Sequence, residues 1–272
     1  MKQKKSTIYK FLFAALIVFG ALTFLTSMLF KQPQSDEDLK VDLENMELVQ
    51  LNILEGKVDE KAPQAIITTS FGEMRAVLFP EYAPETVDYF VELAQSGHYD
   101  GTYVFNIQPD VYWAGGSVDK HGALEEGYDK EKETLPIEYH DNLWPLKGAL
   151  CSYGQPKKSL FGGSTLYGGS RFVAVNSIDF TEEEKTQLLA VNEEDTRIAD
   201  AFIKYGGIPN FTRQMTVFAQ VYEGLDIIDK ICSEETGTEA EENIPVSDII
   251  IDKIEIINYT KPVQAEAEQN EE

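Results

Sequence analysis

The sequence predicts a mostly β protein: an antiparallel barrel closed at its ends by two helices and preceded by one transmembrane helix. Three observations carry this reading. Short apolar and alternating runs recur between Ala65 and Tyr259, two amphipathic helical stretches interrupt them, and residues 11–30 form an uncharged apolar run.

The elements follow in order. Ala65–Thr69 and Met74–Phe79 read as strands joined by Ser70-Phe71-Gly72-Glu73, a hairpin pattern. Pro84 suits the first turn of a helix on which Val87, Phe90, Val91 and Ala94 recur at helical spacing, and Gly97 ends it. Gly148–Ser152, Ser170–Val175 and Met215–Val221 read as short half-buried strands. A second helix starts near Gly224, with Leu225, Ile228 and Ile231 on one face. The last strand spans Asp248–Tyr259, with Ile250, Ile254 and Ile256 at period-two spacing. Many strands with two helices, in the order β-β-α-β…β-α-β, suit a closed antiparallel barrel.

The ends are read from charge. Residues 1–10 are a basic cytoplasmic segment. Phe11–Phe30 has the length that spans roughly 30 Å of hydrocarbon at about 1.5 Å per residue. Four lysines precede it, and Asp36, Glu37 and Asp38 follow soon after Lys31, which predicts a single-pass cell-membrane protein with its body outside the cytoplasm, of bacterial type. The competing reading is a cleaved signal peptide. Its apolar region runs to about 7–15 residues and ends in a small-x-small site; this run is longer and has no A-x-A, which favours an uncleaved anchor. Residues 31–63 read as an acidic linker, in which Leu43–Leu51 carries the spacing of a short helix. Residues 64–260 form the folded domain, and 261–272 an acidic tail expected to be disordered.

Composition excludes several function classes. Net charge is −24, and five of the 23 basic residues but none of the 47 acidic ones fall within residues 1–34. So acidic a body repels phosphate backbones, which argues against nucleic-acid binding. Cys151 and Cys232 have no CxxC spacing; one bridge is open to them, but two separate buried thiols are the expectation. His98, His121 and His140 are scattered, so no metal site and no cofactor motif is read.

From Ala65 to Tyr259 the chain resembles the cyclophilins. SFGEMRAVLFPEYAPETVDYFVELAQSGHYDGT follows that family's opening hairpin, its AP-x-TV helix start and its G-x-YDG-T turn. Gly115-Gly116-Ser117 resembles the GGD loop, KGALCS the KGALSM strand, GGSRFVAV the GSQFFI strand, and YGGIPNFTRQMTVFAQVYEGLDIIDKI the closing run. The resemblance implies an eight-stranded antiparallel barrel capped by two helices, and cis/trans isomerisation of X-Pro bonds in proline-containing polypeptides. That chemistry needs an apolar pocket for the proline ring and a donor that favours the twisted amide; in the family an arginine donates and a glutamine assists.

Here the site departs from the pattern. Asn106 stands at the arginine position and Ala114 at the glutamine position. The pocket positions are filled by Val111, Tyr112, Phe172, Val173, Phe211 and Met215, and Asn210 stands where many members carry a tryptophan. Arg171, at the glutamine of GSQFF, reads first as a surface arginine paired with one of the many acids, and second as a candidate substitute donor. Strand alternation sends Arg171 and Phe172 to opposite faces, and with Phe172 in the barrel Arg171 faces the groove. The resemblance therefore implies weakened catalysis; the alternatives are a silent proline-peptide-binding or chaperone module and a scaffold subunit of a membrane assembly. Residues 154–168 read as a long glycine-bearing loop. Residues 177–208 read as a helical insertion, with a capping box at Thr181–Glu184 and Ile198, Phe202 and Tyr205 on one face, offering a surface for a protein partner.

Overall fold

The computed structural model describes residues 45–261 except 127, 129, 159–163 and 239–240. The predicted anchor at 11–30 and the tail from 262 lie outside the described residues. Of the described residues, those at 45–156 and 166–261 form one compact unit, and 157, 158, 164 and 165 are grouped apart from it.

The β1 strand (Gln64–Thr69) and β2 (Gly72–Leu78) form the expected hairpin. The α1 helix (Val49–Leu54) precedes them, shorter and later than the pattern at 43–51 indicated. Helix α2 (Pro84–Gln95) has Pro84 in its first turn, and Gly97 follows it at φ +77°, a left-handed position that glycine takes without strain. Next come β3 (Thr102–Gln108), β4 (Tyr112–Ser117), the two-residue β5 (Leu135–Pro136) and β6 (Ala149–Ser152). The segment expected to be a loop at 154–168 instead contributes β7 (Gln155–Lys158) and β8 (Ser164–Gly168); Gly168 and Tyr167 pair with Leu135 and Pro136. Then follow β9 (Phe172–Val175), α3 (Glu182–Ala190), α4 (Arg197–Tyr205), β10 (Val217–Glu223), α5 (Leu225–Cys232) and β11 (Ile250–Ile257). Eight strands close in the order β1-β11-β3-β4-β9-β6-β10-β2.

Period-two alternation sorts the side chains. Phe172 and Ala174 of β9, Leu150 of β6 and Trp113 of β4 face the interior. There Phe172 meets Phe90 of α2 edge-on, with Tyr99 and Trp113 also at ring-centroid separations below 6 Å. Burying Val87, Phe90, Val91 and Leu93 stabilises the α2 cap by about 1.5–3 kcal/mol per large side chain. Val173 and Val175, Cys151 and Ala114 go to the outer face and join a second apolar cluster.

The insertion folds as its sequence indicated. Thr181 accepts a hydrogen bond from the Glu184 N–H while the Glu184 carboxylate accepts from the Thr181 N–H, a complete capping box. Helix α3 buries no residue, whereas α4 buries Ala199, Ala201 and Phe202, whose ring meets Trp144 edge-on at 6.5 Å. Cys151 and Cys232 are separate buried thiols, with burial pushing both pKa values up, that of Cys232 to about 12.

Candidate active site

Strand register builds the site. Asn106 of β3 pairs with Ala114 of β4, Ala114 with Val173 of β9, Val173 with Cys151 of β6, and Cys151 with Val217 of β10. With strands about 4.8 Å apart, this row crosses roughly 19 Å of the outer face, the length of about six extended residues. Val111, Tyr112, Phe211 and Met215 are half-buried against the same cluster, and the Tyr112 and Phe211 rings lie 5.7 Å apart. The floor is thus aliphatic and the rim aromatic. Beside Phe211 and Met215, a small cavity of about 20 Å³ opens against residues 138–141 and 143–145.

Asn106 lies at one end of the row. Its Oδ1 is buried and has no hydrogen-bond partner among the described residues. Such an acceptor costs free energy until something donates to it, so the site is poised for a ligand N–H or water. Ala114 is fully buried and brings no polar group. Phe172, counted above among pocket residues, is corrected: it is 1% exposed and fills the barrel interior, so Val173 alone represents that strand in the groove.

Arg171 lies two residues from Val173 along the same strand face, and its guanidinium sits over the rings of Phe105 (5.9 Å) and Tyr153 (5.5 Å). Both rings belong to the outer cluster. It is not a surface cation: it is 7% exposed, Nη2 donates to Glu133 Oε2 at 2.9 Å, and Nη1 donates to the Gly122 carbonyl at 2.8 Å. Its Nε is buried without an acceptor among the described residues. Glu133 also accepts from the Ser170 N–H and hydroxyl at 2.6 and 2.8 Å, and from the Tyr128 hydroxyl. Burial pushes the Glu133 carboxyl up, but the Ser170 donors and the Arg171 guanidinium outweigh it and hold it below the usual range. Gly169 permits this approach, since a Cβ there would meet the carboxylate at 2.3 Å.

Sequence reasoning missed Phe105, Tyr153 and Glu133. Phe105 was findable from alternation, which turns it outward once Val104 faces the interior; the bulge at Val104–Asn106 that keeps Asn106 on the same face carries no sequence signal. Glu133 carried no signal, being one of several acids in a polar stretch. Among the described residues no three His, Cys, Asp or Glu side chains are grouped to hold a metal ion.

An antiparallel eight-stranded barrel with two helical caps and an outer apolar groove defines a fold class that the comparisons specify. The family described as "Cyclophilin type peptidyl-prolyl cis-trans isomerase/CLD" matches residues 65–256. A Streptococcus pyogenes protein named "Putative bifunctional phosphatase/peptidyl-prolyl cis-trans isomerase" is 33% identical over 199 residues, which cover 72% of this chain and 39% of that protein. A Staphylococcus saprophyticus "Putative peptidyl-prolyl cis-trans isomerase" is 30% identical over 192 residues, covering 71% of this chain and 90% of that one. The crystal structure of a Cryptosporidium parvum cyclophilin type peptidyl-prolyl cis-trans isomerase superposes with a TM-score of 0.52 at 18% identity, over 73% of this chain and 98% of that one. A second structure of that protein was determined in the presence of the dipeptide Ala-Pro; it has a TM-score of 0.50 at 18% identity and covers 71% and 98% of the two chains. The chain belongs to the cyclophilin-type peptidyl-prolyl cis-trans isomerase family.

Proposed function

We propose that this chain is a membrane-anchored, extracytoplasmic peptidyl-prolyl isomerase of weakened catalysis that assists folding of secreted proteins. The carrying observation is the outer row in which an apolar groove persists while both donor positions, Asn106 and Ala114, lack charge. Val111, Tyr112, Val173, Phe211 and Met215 hold the proline ring. Rotation about the X-Pro bond breaks amide resonance, so the uncatalysed step takes tens of seconds. Asn106 offers the twisted amide a neutral amide dipole, weaker than a guanidinium fork. Arg171 is held in place by Glu133 and the Gly122 carbonyl, which each take one donor of a terminal nitrogen, so its guanidinium is not free to swing to the twisted amide.

The second reading is a proline-peptide-binding module without turnover, favoured by that same Arg171–Glu133 commitment. NMR exchange spectroscopy on a proline peptide separates the two. Exchange cross-peaks between cis and trans forms at catalytic amounts of protein support the isomerase; line broadening at stoichiometric amounts without cross-peaks supports the binder. A peptide unaffected at millimolar protein sinks both.

For location, the lysine asymmetry around 11–30 supports an anchor with the body outside, and the bacterial relatives agree with a bacterial cell membrane. A linker of residues 31–45 reaches at most about 50 Å, which keeps the groove near the bilayer surface. Protease added to intact cells or spheroplasts is expected to digest the body. Full protection, or a mature form beginning after residue 30, would refute the anchor.

A further inference from the structure

We propose that Gln50, in the segment expected to be linker, is a positioning residue that sets the groove wall carrying Phe211. The inference rests on the groove reading above for its consequence on peptide binding, though not for its geometry. Gln50 is 1% exposed on α1. Its Nε2 donates to the Trp144 carbonyl and to Gln220 Oε1, both at 2.8 Å, and its Oε1 accepts the Trp144 N–H at 2.6 Å.

Both backbone groups of Trp144 are thereby fixed by one side chain 94 residues away in sequence. The next residue passes the constraint on. The Pro145 carbonyl accepts the Ile208 N–H at 2.9 Å, and the Ile208 carbonyl accepts the Phe211 N–H at 3.0 Å. Gln220 in turn donates to the Lys147 carbonyl at 2.9 Å, so residues 144–147 are gripped at both ends. Trp144, Pro145 and Phe211 line the cavity beside the groove. The surrounding segment is docked independently: the Glu47 N–H donates to Asn142 Oδ1 at 2.8 Å, Arg197 Nη1 donates to the Met46 carbonyl at 3.0 Å, and Ile53 is buried.

An apolar residue at position 50 would hold α1 on the barrel by burial alone. What the amide adds is direction: two donors and one acceptor that match a single placement of the 144–147 backbone. Without them, the Trp144 N–H loses its acceptor and the Trp144 carbonyl keeps only the Leu146 N–H at 2.8 Å, so the wall bearing Phe211 is free to shift relative to Tyr112.

The test compares Gln50→Met, similar in length but without the amide, with Val87→Ala, which loosens α2 without touching this wall. Amide hydrogen exchange is read at Ile208 and Phe211, whose acceptors are not on Gln50, and Kd for a proline peptide is read by NMR titration. Gln50→Met is expected to speed exchange at these two amides about tenfold beyond the rise at β1 and β11, and to weaken peptide binding about fivefold. Val87→Ala is expected to change exchange uniformly and Kd little at equal loss of Tm. Unchanged exchange at Ile208 and Phe211, or a rise no larger than in the rest of the barrel, overturns the proposal. If the wild-type chain binds no proline peptide, the groove reading fails while the exchange result still decides the positioning role. Gln50→Asn, one methylene shorter, is the milder variant should Gln50→Met not fold, and the same pattern is expected of it.

Discussion

Replacing Glu133 by alanine is expected to cost about 3–5 kcal/mol of stability, the usual loss when one partner of a buried ion pair is removed. The Arg171 and Glu133 side chains are each only 8% exposed, so solvent does not screen what remains. The variant strands a buried guanidinium whose Nε already lacks an acceptor, and it takes the acceptor from the Ser170 N–H and hydroxyl as well. Arg171→Ala is expected to cost less, since the Glu133 carboxylate loses its countercharge but keeps the Ser170 and Tyr128 donors, and lost peptide binding in that variant is interpretable only beside its Tm. Denaturant melts with the linear extrapolation check both values. A loss below about 1 kcal/mol in each would mean that the pair is solvated and weak.

The same pair gives a pH dependence of definite sign. Because the folded Glu133 pKa lies below its ordinary value of 4.5, its contribution is fully present above that pH and is lost as pH falls through the folded value. His98, edge-on to Tyr99 and tilted against Tyr128 and lowered chiefly by burial, acts earlier: a histidine held neutral loses stability as pH falls below about 6.5. The stability gap between wild type and Glu133→Gln is therefore expected to be flat from pH 8 to 5 and to narrow below about 4.5. His98 is present in both proteins and Glu133 favours its charged form, so a His98 contribution would widen the gap below about pH 6.5; a gap that closes there would contradict the assignment to Glu133.

What the sequence disclosed and what it hid divide along one physical line. Elements held by apolar periodicity or local capping were legible: the β1–β2 hairpin, α2 with Pro84 and Gly97, the Thr181–Glu184 box and the helix bearing Phe202. The opposite fates of Arg171 and Phe172 also followed from alternation, which should have kept Phe172 out of the pocket. Elements held by buried polar groups were illegible, because a polar residue reads as exposed until its distant partners are known. Within the acidic linker read at 31–63 only the spacing at 43–51 indicated a helix, and nothing marked Gln50 as buried; Glu133 looked like one more solvated acid. Gly168 and Gly169 suggested flexibility, yet at Gly169 the missing side chain admits the Glu133 carboxylate. The groove itself was legible only through family resemblance, since no local pattern brings Asn106, Ala114, Val173 and Val217 into one row across five strands.

Restoring both donors is the decisive test of the catalytic reading: Asn106→Arg with Ala114→Gln is expected to raise kcat/KM about 10²–10³-fold, the span associated with one preorganised donor at a reacting amide. The two substitutions differ in how the site can accept them. Asn106 is half-buried at the end of the row, where a longer side chain can extend along the groove. Ala114 is wholly enclosed beneath Phe105 and Val173, so glutamine alone is expected to overpack and cost about 1–3 kcal/mol without raising turnover. Electrostatics favours the arginine: the nearby Arg171 is neutralised by Glu133, so a guanidinium at 106 meets a balanced pair rather than a bare like charge. It would also remove the buried Asn106 Oδ1 that now has no donor. The expected order is therefore double variant and Asn106→Arg well above wild type, and Ala114→Gln at or below it, measured by NMR exchange on one proline peptide with folding checked by Tm. A double variant that folds, binds the peptide and turns over no faster than wild type would show that the missing charge is not what limits the rate, leaving the groove as a binding site whose geometry does not reach the twisted amide.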